Sequence, residues 1–267
     1  MTEQKTASRG YHPLPYPPPL SGRDGRGVLC FMFCVLCFVF FSPELHAEPR
    51  IPEKFTYYLF WSGIRAGMAA IVSEDTPEGV IIKSSAKSAE FISIFYKVED
   101  LAQSILYHDG YPHTYILKIR EGRHRRDKAT FFEAKSNNGT QKVTHLNKLD
   151  NEETKFDLEK QAYDPLSGLY AIRKRQLTVG HSEYIDIFDS KKLWNVEVQV
   201  LRKERVTTPA GKFNTIVIKP LLQSEGIFMK KGEINIWLTD DEKKIPVMMK
   251  SKVKIGNFTA QLTDGAY

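Results

Sequence analysis

Past residue 48 the chain is a succession of short β-prone runs closed by tight turns, and this cadence limits its fold more than any other feature. Phe55–Trp61 (FTYYLFW) is aromatic and β-prone, Ser62-Gly63 is a turn, Gly67–Val72 reads as the return strand, and Val80–Lys87 follows the turn at Asp75–Gly79. Leu101–Tyr107, Tyr115–Arg120, Lys128–Ala134 and Lys142–Leu146 continue the series, punctuated by Asp109-Gly110 and Asn137-Asn138-Gly139. Gly, Asn and Asp suit such turns because they tolerate the left-handed backbone of tight hairpins. In the second half Tyr184–Phe188, Trp194–Val206, Phe213–Lys219, Ile234–Leu238, Val247–Val253 and Phe258–Leu262 are strand candidates. Trp194, Val196, Val198 and Val200 share one face opposite Glu197 and Gln199, the pattern of a strand with one side on a core.

Two short helices interrupt the strands. Ala89–Tyr96 carries Phe91, Ile92, Ile94 and Phe95. The second is announced by Asp164-Pro165: Asp caps free backbone N–H groups, and Pro fits the first helical position because its missing donor has no partner there. Leu166, Leu169, Tyr170 and Ile172 then form an apolar stripe, and the helix is expected to run to about Leu177. About a dozen strands with short connections must protect their edges, and a curled sheet does so. The expected fold is therefore mainly β: a curled or partly closed antiparallel sheet of the open-barrel type with two short helices. Its inner face has room for side chains, a helix or a ligand.

The first fifty residues differ in kind. Residues 1–27 are polar and proline-rich and are read as a disordered leader. Arg23 and Arg26 precede an uninterrupted apolar run of 14 residues, Val28–Phe41, followed by Ser42-Pro43-Glu44-Leu45-His46-Ala47. A bilayer span needs roughly 20 residues, and a secretory signal about 7–15. Residues 28–47 thus read as a signal segment cleaved after Ala47, with an uncleaved inner-membrane anchor as the alternative, and 48–267 as one exported, periplasmic domain. All three cysteines (Cys30, Cys34, Cys37) fall in the apolar run, so the exported domain has neither disulfides nor thiol chemistry. Its net charge, +6 for the whole chain, is well mixed in sign and gives little reason to expect nucleic acid.

Several segments in order resemble a bacterial exported family, domain-of-unknown-function family 3108. Phe55–Gly67 resembles that family's opening aromatic hairpin. Ile119-Arg120-Glu121-Gly122, Asp164–Tyr170 with Arg173, Pro209–Phe213, and Ile236–Asp241 with Ile245-Pro246-Val247 continue the pattern across roughly 53–262. The resemblance implies an exported, mostly β, single-domain protein and supplies no catalytic residues. At the level of fold the chain is also similar to periplasmic carriers of outer-membrane lipoproteins, which are unclosed antiparallel barrels plugged by helices; such likeness does not carry function with it.

Chemistry-bearing motifs are few. There is no phosphate loop and no Gly-x-Ser-x-Gly elbow. His108, His113, His124, His145 and His181 lack metal-ligand spacing, so neither metal nor cofactor is expected. The leading expectation is a non-enzymatic binding or carrier module for an apolar or amphipathic envelope ligand: a lipid, a lipoprotein or an anionic glycan. Tyr57, Leu59, Trp61, Phe91, Ile94, Phe95 and Trp237 would line or gate its hollow. The basic stretch Arg120, Arg123, Arg125 and Arg126 would meet an anionic group. The alternatives are a scaffold for an envelope protein partner and an envelope glycan hydrolase. A hydrolase would need two converging carboxyls, for which Asp100, Glu121, Asp164 and Asp240 are the candidates.

Overall fold

The computed structural model describes residues 52–221, 233–253 and 256–266. The leader and the signal segment expected at 1–47 lie outside them. Within the described residues the strands are β1 (Glu53–Trp61), β2 (Ile64–Thr76), β3 (Gly79–Ser88), β4 (Glu99–Leu106), β5 (Pro112–Glu121), β6 (His124–Phe132), β7 (Gln141–Asn147), β8 (Glu152–Leu158), β9 (Ser182–Asp189), β10 (Lys192–Thr208), β11 (Gly211–Pro220), β12 (Glu233–Thr239), β13 (Pro246–Val253) and β14 (Gly256–Ala266). The helices are α1 (Glu90–Ser93) and α2 (Pro165–Arg173).

All fourteen strands form one antiparallel sheet ordered β8-β7-β6-β5-β4-β3-β2-β1-β14-β13-β12-β11-β10-β9. Two meanders, one from each half of the chain, therefore join where the first and last strands pair, at Tyr57–Leu262 and Tyr58–Gln261. The sheet's two edges, β8 and β9, are neighbours in sequence. They curl back on each other without sharing a ladder. Phe188 of β9 meets Phe156 of β8 (ring centres 5.1 Å) and Phe132 of β6 (6.2 Å) edge to face, and Lys191 pairs with Glu152 at 2.6 Å. The connecting segment fills the seam. Ala162 N–H donates to the Gln141 side chain on β7 at 3.0 Å, while Tyr163 forms a parallel bridge to Ile187 of β9. Backbone groups along two bare edges are thus partly satisfied by the chain that links them.

The core follows from alternation on the inner face. Phe55 and Tyr57 on β1, Ile71 on β2, Ile82 on β3 and Tyr115 on β5 are buried. In β11, β12 and β13 runs of consecutive residues are buried (Thr215–Ile218, Ile236–Thr239, Ile245–Met248), so both faces of these strands are covered. Trp237 belongs to the core cluster of Phe55 and Tyr57, its neighbours Ile236 and Leu238 to that of Ile172 and Ile185, and its Nε1–H donates to Glu204 at 2.5 Å.

The second helix begins at the expected cap and ends sooner, at Arg173 rather than Leu177. The first is a single turn with no side chain capping it. β8 (EETKFDL) carries too many charges to stand out in the sequence; as an edge strand it needs few apolar positions.

Candidate functional site

Helix α2 lies inside the curl and is tied at both ends. At its start Asp164 is fully buried and accepts from Leu166 N (2.8 Å), Ser167 N (3.0 Å), Ser167 Oγ (2.8 Å) and Ser104 Oγ of β4 (2.5 Å). The first contacts close a reciprocal capping box, and the last ties the helix to the opposite half-sheet. Burial pushes the Asp164 carboxyl up while these donors pull it down. At the other end Arg173 forms two bonds with Glu53 of β1 (2.7 and 2.9 Å) and donates to the carbonyls of Lys243 and Lys244 (both 3.0 Å) in the β12–β13 turn. Its guanidinium also lies 4.8 Å from the Tyr170 ring.

Held in this way, α2 faces the β-branched inner side of β9–β12. Gly168 makes the closest approach: a Cβ there would meet Ile187 Cδ1 at 3.0 Å. Beside it an apolar pocket of about 220 Å³ remains between Leu169 and Ile172 of the helix and Ile185, Ile187, Val196, Val198, Ile218 and Ile236 of the sheet, with Trp194, Pro220, Ile234 and Met249 completing the wall. Asp189 is the charged member of this lining. The stripe Trp194, Val196, Val198 read from the sequence thus faces a space and not only a core.

The residues expected to line a hollow are not gathered here. Tyr57 is fully buried and its hydroxyl donates to Pro246 O at 2.8 Å, while Leu59 is half-buried. Trp61 stacks on Phe258 at 6.2 Å at the end of β1. Phe91, Ile94 and Phe95 point into solvent on and after α1. The pocket beside α2 is lined instead by strands whose alternation was legible, but which strands α2 would cover was not.

The basic stretch forms the β5–β6 hairpin, where Arg120 pairs in register with Arg125. These two, with Arg126, Lys97 and Lys118, line a groove of about 300 Å³ that also holds Glu99 and Asp127. Arg123 is exposed at the turn, and Arg126 Nε donates to His124 Nε2 at 3.0 Å. Of the four candidate carboxyls, Asp100 and Glu121 come together. They share a hydrogen bond, and burial followed by the Asp100 charge pushes Glu121 up to about 7. Hydrogen-bond contact leaves them closer than the ~5–5.5 Å between the carboxyls of retaining glycosidases. Asp164 is the helix cap, and Asp240 pairs with Lys203 at 2.8 Å.

His145 is buried beside Thr130 (3.0 Å), and burial together with Lys128 and Lys191 pushes its pKa down. No cluster of side chains suited to a metal ion occurs among the described residues. No helix among them is long and apolar enough to cross a membrane.

Comparison with known proteins agrees with this architecture. A crystallised β-barrel-like protein of the domain-of-unknown-function family DUF1849 from Brucella abortus is similar in fold at 14% identity and a TM-score of 0.53, covering 80% of this chain and 97% of that one. A candidate exported protein with a YmcC-like fold from Bacteroides fragilis aligns at 11% identity and a TM-score of 0.32, covering 80% and 95%. No curated protein matches the chain. The motifs that suggested a family in the sequence have structural roles here: Asp164 and Arg173 tether α2, and Asp241 accepts from Thr239 Oγ1 (2.7 Å) and Lys243 N (3.0 Å) to shape the β12–β13 turn. With the family model matched over residues 55–263, the chain belongs to DUF3108, a family of proteins of unknown function.

Proposed function

We infer that this chain is a non-enzymatic binding or carrier module of the cell envelope, exported by its N-terminal apolar segment, and that it takes an apolar or amphipathic ligand. The observation that carries this reading is the apolar pocket between α2 and β9–β12. Its walls are almost wholly aliphatic and aromatic, and its volume of about 220 Å³ is below the ~300 Å³ at which drug-sized ligand sites begin. The space suits a short stretch of hydrocarbon, such as part of an acyl chain, with the rest of the ligand outside. The helix tethers support the reading, since rigid anchors at both ends keep α2 from collapsing onto the sheet and erasing the space.

The test is binding of an environment-sensitive apolar fluorophore to the purified chain, with mass spectrometry of any co-purified lipid. Val198→Phe would place a ring in the pocket. Fluorophore binding is expected to fall at least tenfold while the melting temperature holds or rises. Unchanged binding in this variant, or none in the parent, would overturn the proposal.

A further inference from the structure

Neighbouring connections at one end of the sheet carry large apolar side chains into water. The β1–β2 turn presents Ile64 (60% exposed) next to Trp61, and the segment from β3 to β4 presents Phe91 (53%), Ile94 (77%) and Phe95 (88%). Backbone bonds hold these pieces together. Ala89 N–H donates to Ala66 O at 2.8 Å, and Gly122 N–H in the β5–β6 turn donates to Lys97 O at 2.8 Å. Tyr96 packs on Gly122 so closely that a Cβ there would come within 2.8 Å of its ring. A groove of about 490 Å³ runs between the β1–β2 hairpin and α1, with Ile64, Met68 and Phe91 among its walls and Arg65, Lys87 and Glu90 beside them. Such a concentration of exposed apolar surface marks an interaction site.

The surrounding charge selects the partner. Lys97, Arg120 and Arg125 line the basic groove alongside, and Arg123 stands at the hairpin turn. Protein–protein interfaces are depleted in lysine, yet Lys87 and Lys97 frame the apolar tips. Glu90 and Glu99, the latter paired with Lys97 at 3.0 Å, also stand here, but Arg65, Lys87, Arg120, Arg123 and Arg125 outnumber them. Apolar tips in a mainly cationic surround match a bilayer with anionic head groups: the tips enter the interfacial layer while Arg and Lys remain at phosphate level.

We propose that this end of the protein docks on an anionic lipid bilayer, with Ile94 and Phe95 entering the interface and Arg120, Arg123 and Arg125 on lipid phosphates. This surface is separate from the pocket beside α2, and its failure would leave the ligand reading untouched.

The experiment uses the full chain and vesicles whose lipids carry bromine on their acyl chains, with Trp61 fluorescence as the readout; Trp61→Phe identifies its share of the signal. Because the segment 28–41 is common to every variant, quenching at Trp61 is read rather than co-sedimentation. Quenching is expected in vesicles containing phosphatidylglycerol and is expected to be weak in pure phosphatidylcholine. The exposed-site variant Ile94→Glu/Phe95→Glu should abolish it with the circular dichroism spectrum unchanged. Arg123→Glu/Arg125→Glu should weaken the apparent vesicle affinity at least ~10-fold at low salt. Equal quenching in both lipids, no quenching in either (as for a protein partner), or quenching that survives Ile94→Glu/Phe95→Glu would overturn the proposal.

Discussion

Arg173 and Glu53, 120 positions apart, close a two-bond ion pair at the C-terminal end of α2, with Nη2–Oε1 at 2.7 Å and Nη1–Oε2 at 2.9 Å. Arg173 is almost fully buried, and the same guanidinium caps the carbonyls of Lys243 and Lys244. Arg173→Met removes the partner of a carboxylate that is itself mostly shielded, and is expected to cost roughly 2–4 kcal/mol in denaturant melts. Glu53→Gln with Arg173→Met should recover part of this loss, because no unpaired charge then remains. A lysine at 173 cannot supply the forked geometry and should behave closer to methionine than to arginine.

The opposite end of the helix gives a second expectation. Ser104→Ala deletes one of four donors to Asp164 and should cost about 1 kcal/mol. Asp164→Ala removes the cap and leaves Leu166 N–H, Ser167 N–H and Ser104 Oγ without their acceptor. Its expected cost is roughly 2–4 kcal/mol. Apolar-fluorophore binding should weaken alongside stability in this variant, since the pocket wall shifts with the helix.

Glu121 makes stability depend on pH. Its folded-state carboxyl is raised to about 7 by burial and by Asp100, against an ordinary value of 4.5; Arg126 faces it, and His124 faces Asp100. Between those values the folded chain holds a proton that the unfolded chain releases. The stabilisation is thus fully present below about 4.5 and is lost as pH rises through about 7. Glu121→Gln should flatten this part of the stability profile and exceed the parent by roughly 1–3 kcal/mol at about pH 8. Chemical melts across that range, comparing the two proteins, check it.

Gly67 is set by contact rather than by turn conformation. It sits in β2 opposite Ser88, and a Cβ there would come within 2.2 Å of Lys87 O. The atoms it would meet, Lys87 O and Ser88 Cα, belong to the paired backbone of β3, so the ladder itself has to move. Gly67→Ala is expected to cost roughly 2–4 kcal/mol, read as a fall in melting temperature; Gly180→Ala meets no atom within 4 Å and carries only the strain of a left-handed backbone (φ +84°), about 1 kcal/mol.

How much of this was legible in the sequence depends on how local each signal was. The Asp164-Pro165 cap and the Trp194–Val200 alternation were readable because both rest on neighbouring residues. The helix placement was not, since it is fixed by Ser104 and Glu53 from distant strands. Phe91, Ile94 and Phe95 were expected to line or gate a hollow because apolar side chains are usually covered; nothing in their local pattern states that they face solvent. Phe55 and Tyr57, two positions apart on the strand, are both buried, yet Trp61 further along the same alternation is partly exposed. β1 slips register against β2 between Leu59 and Phe60, and no composition signal marks such a bulge. Asp100 and Glu121 were among four candidates for converging carboxyls, and which two of the four meet is decided by strand register.

The seam between β8 and β9 runs straight into α2, since Ala162 and Tyr163 bridge it immediately before the capping Asp164. Helix and seam are consecutive lengths of one short thread. Any outward movement of the helix must therefore also pull on the stitch that gathers the sheet's two borders, and helix position and girth become two readings of a single displacement.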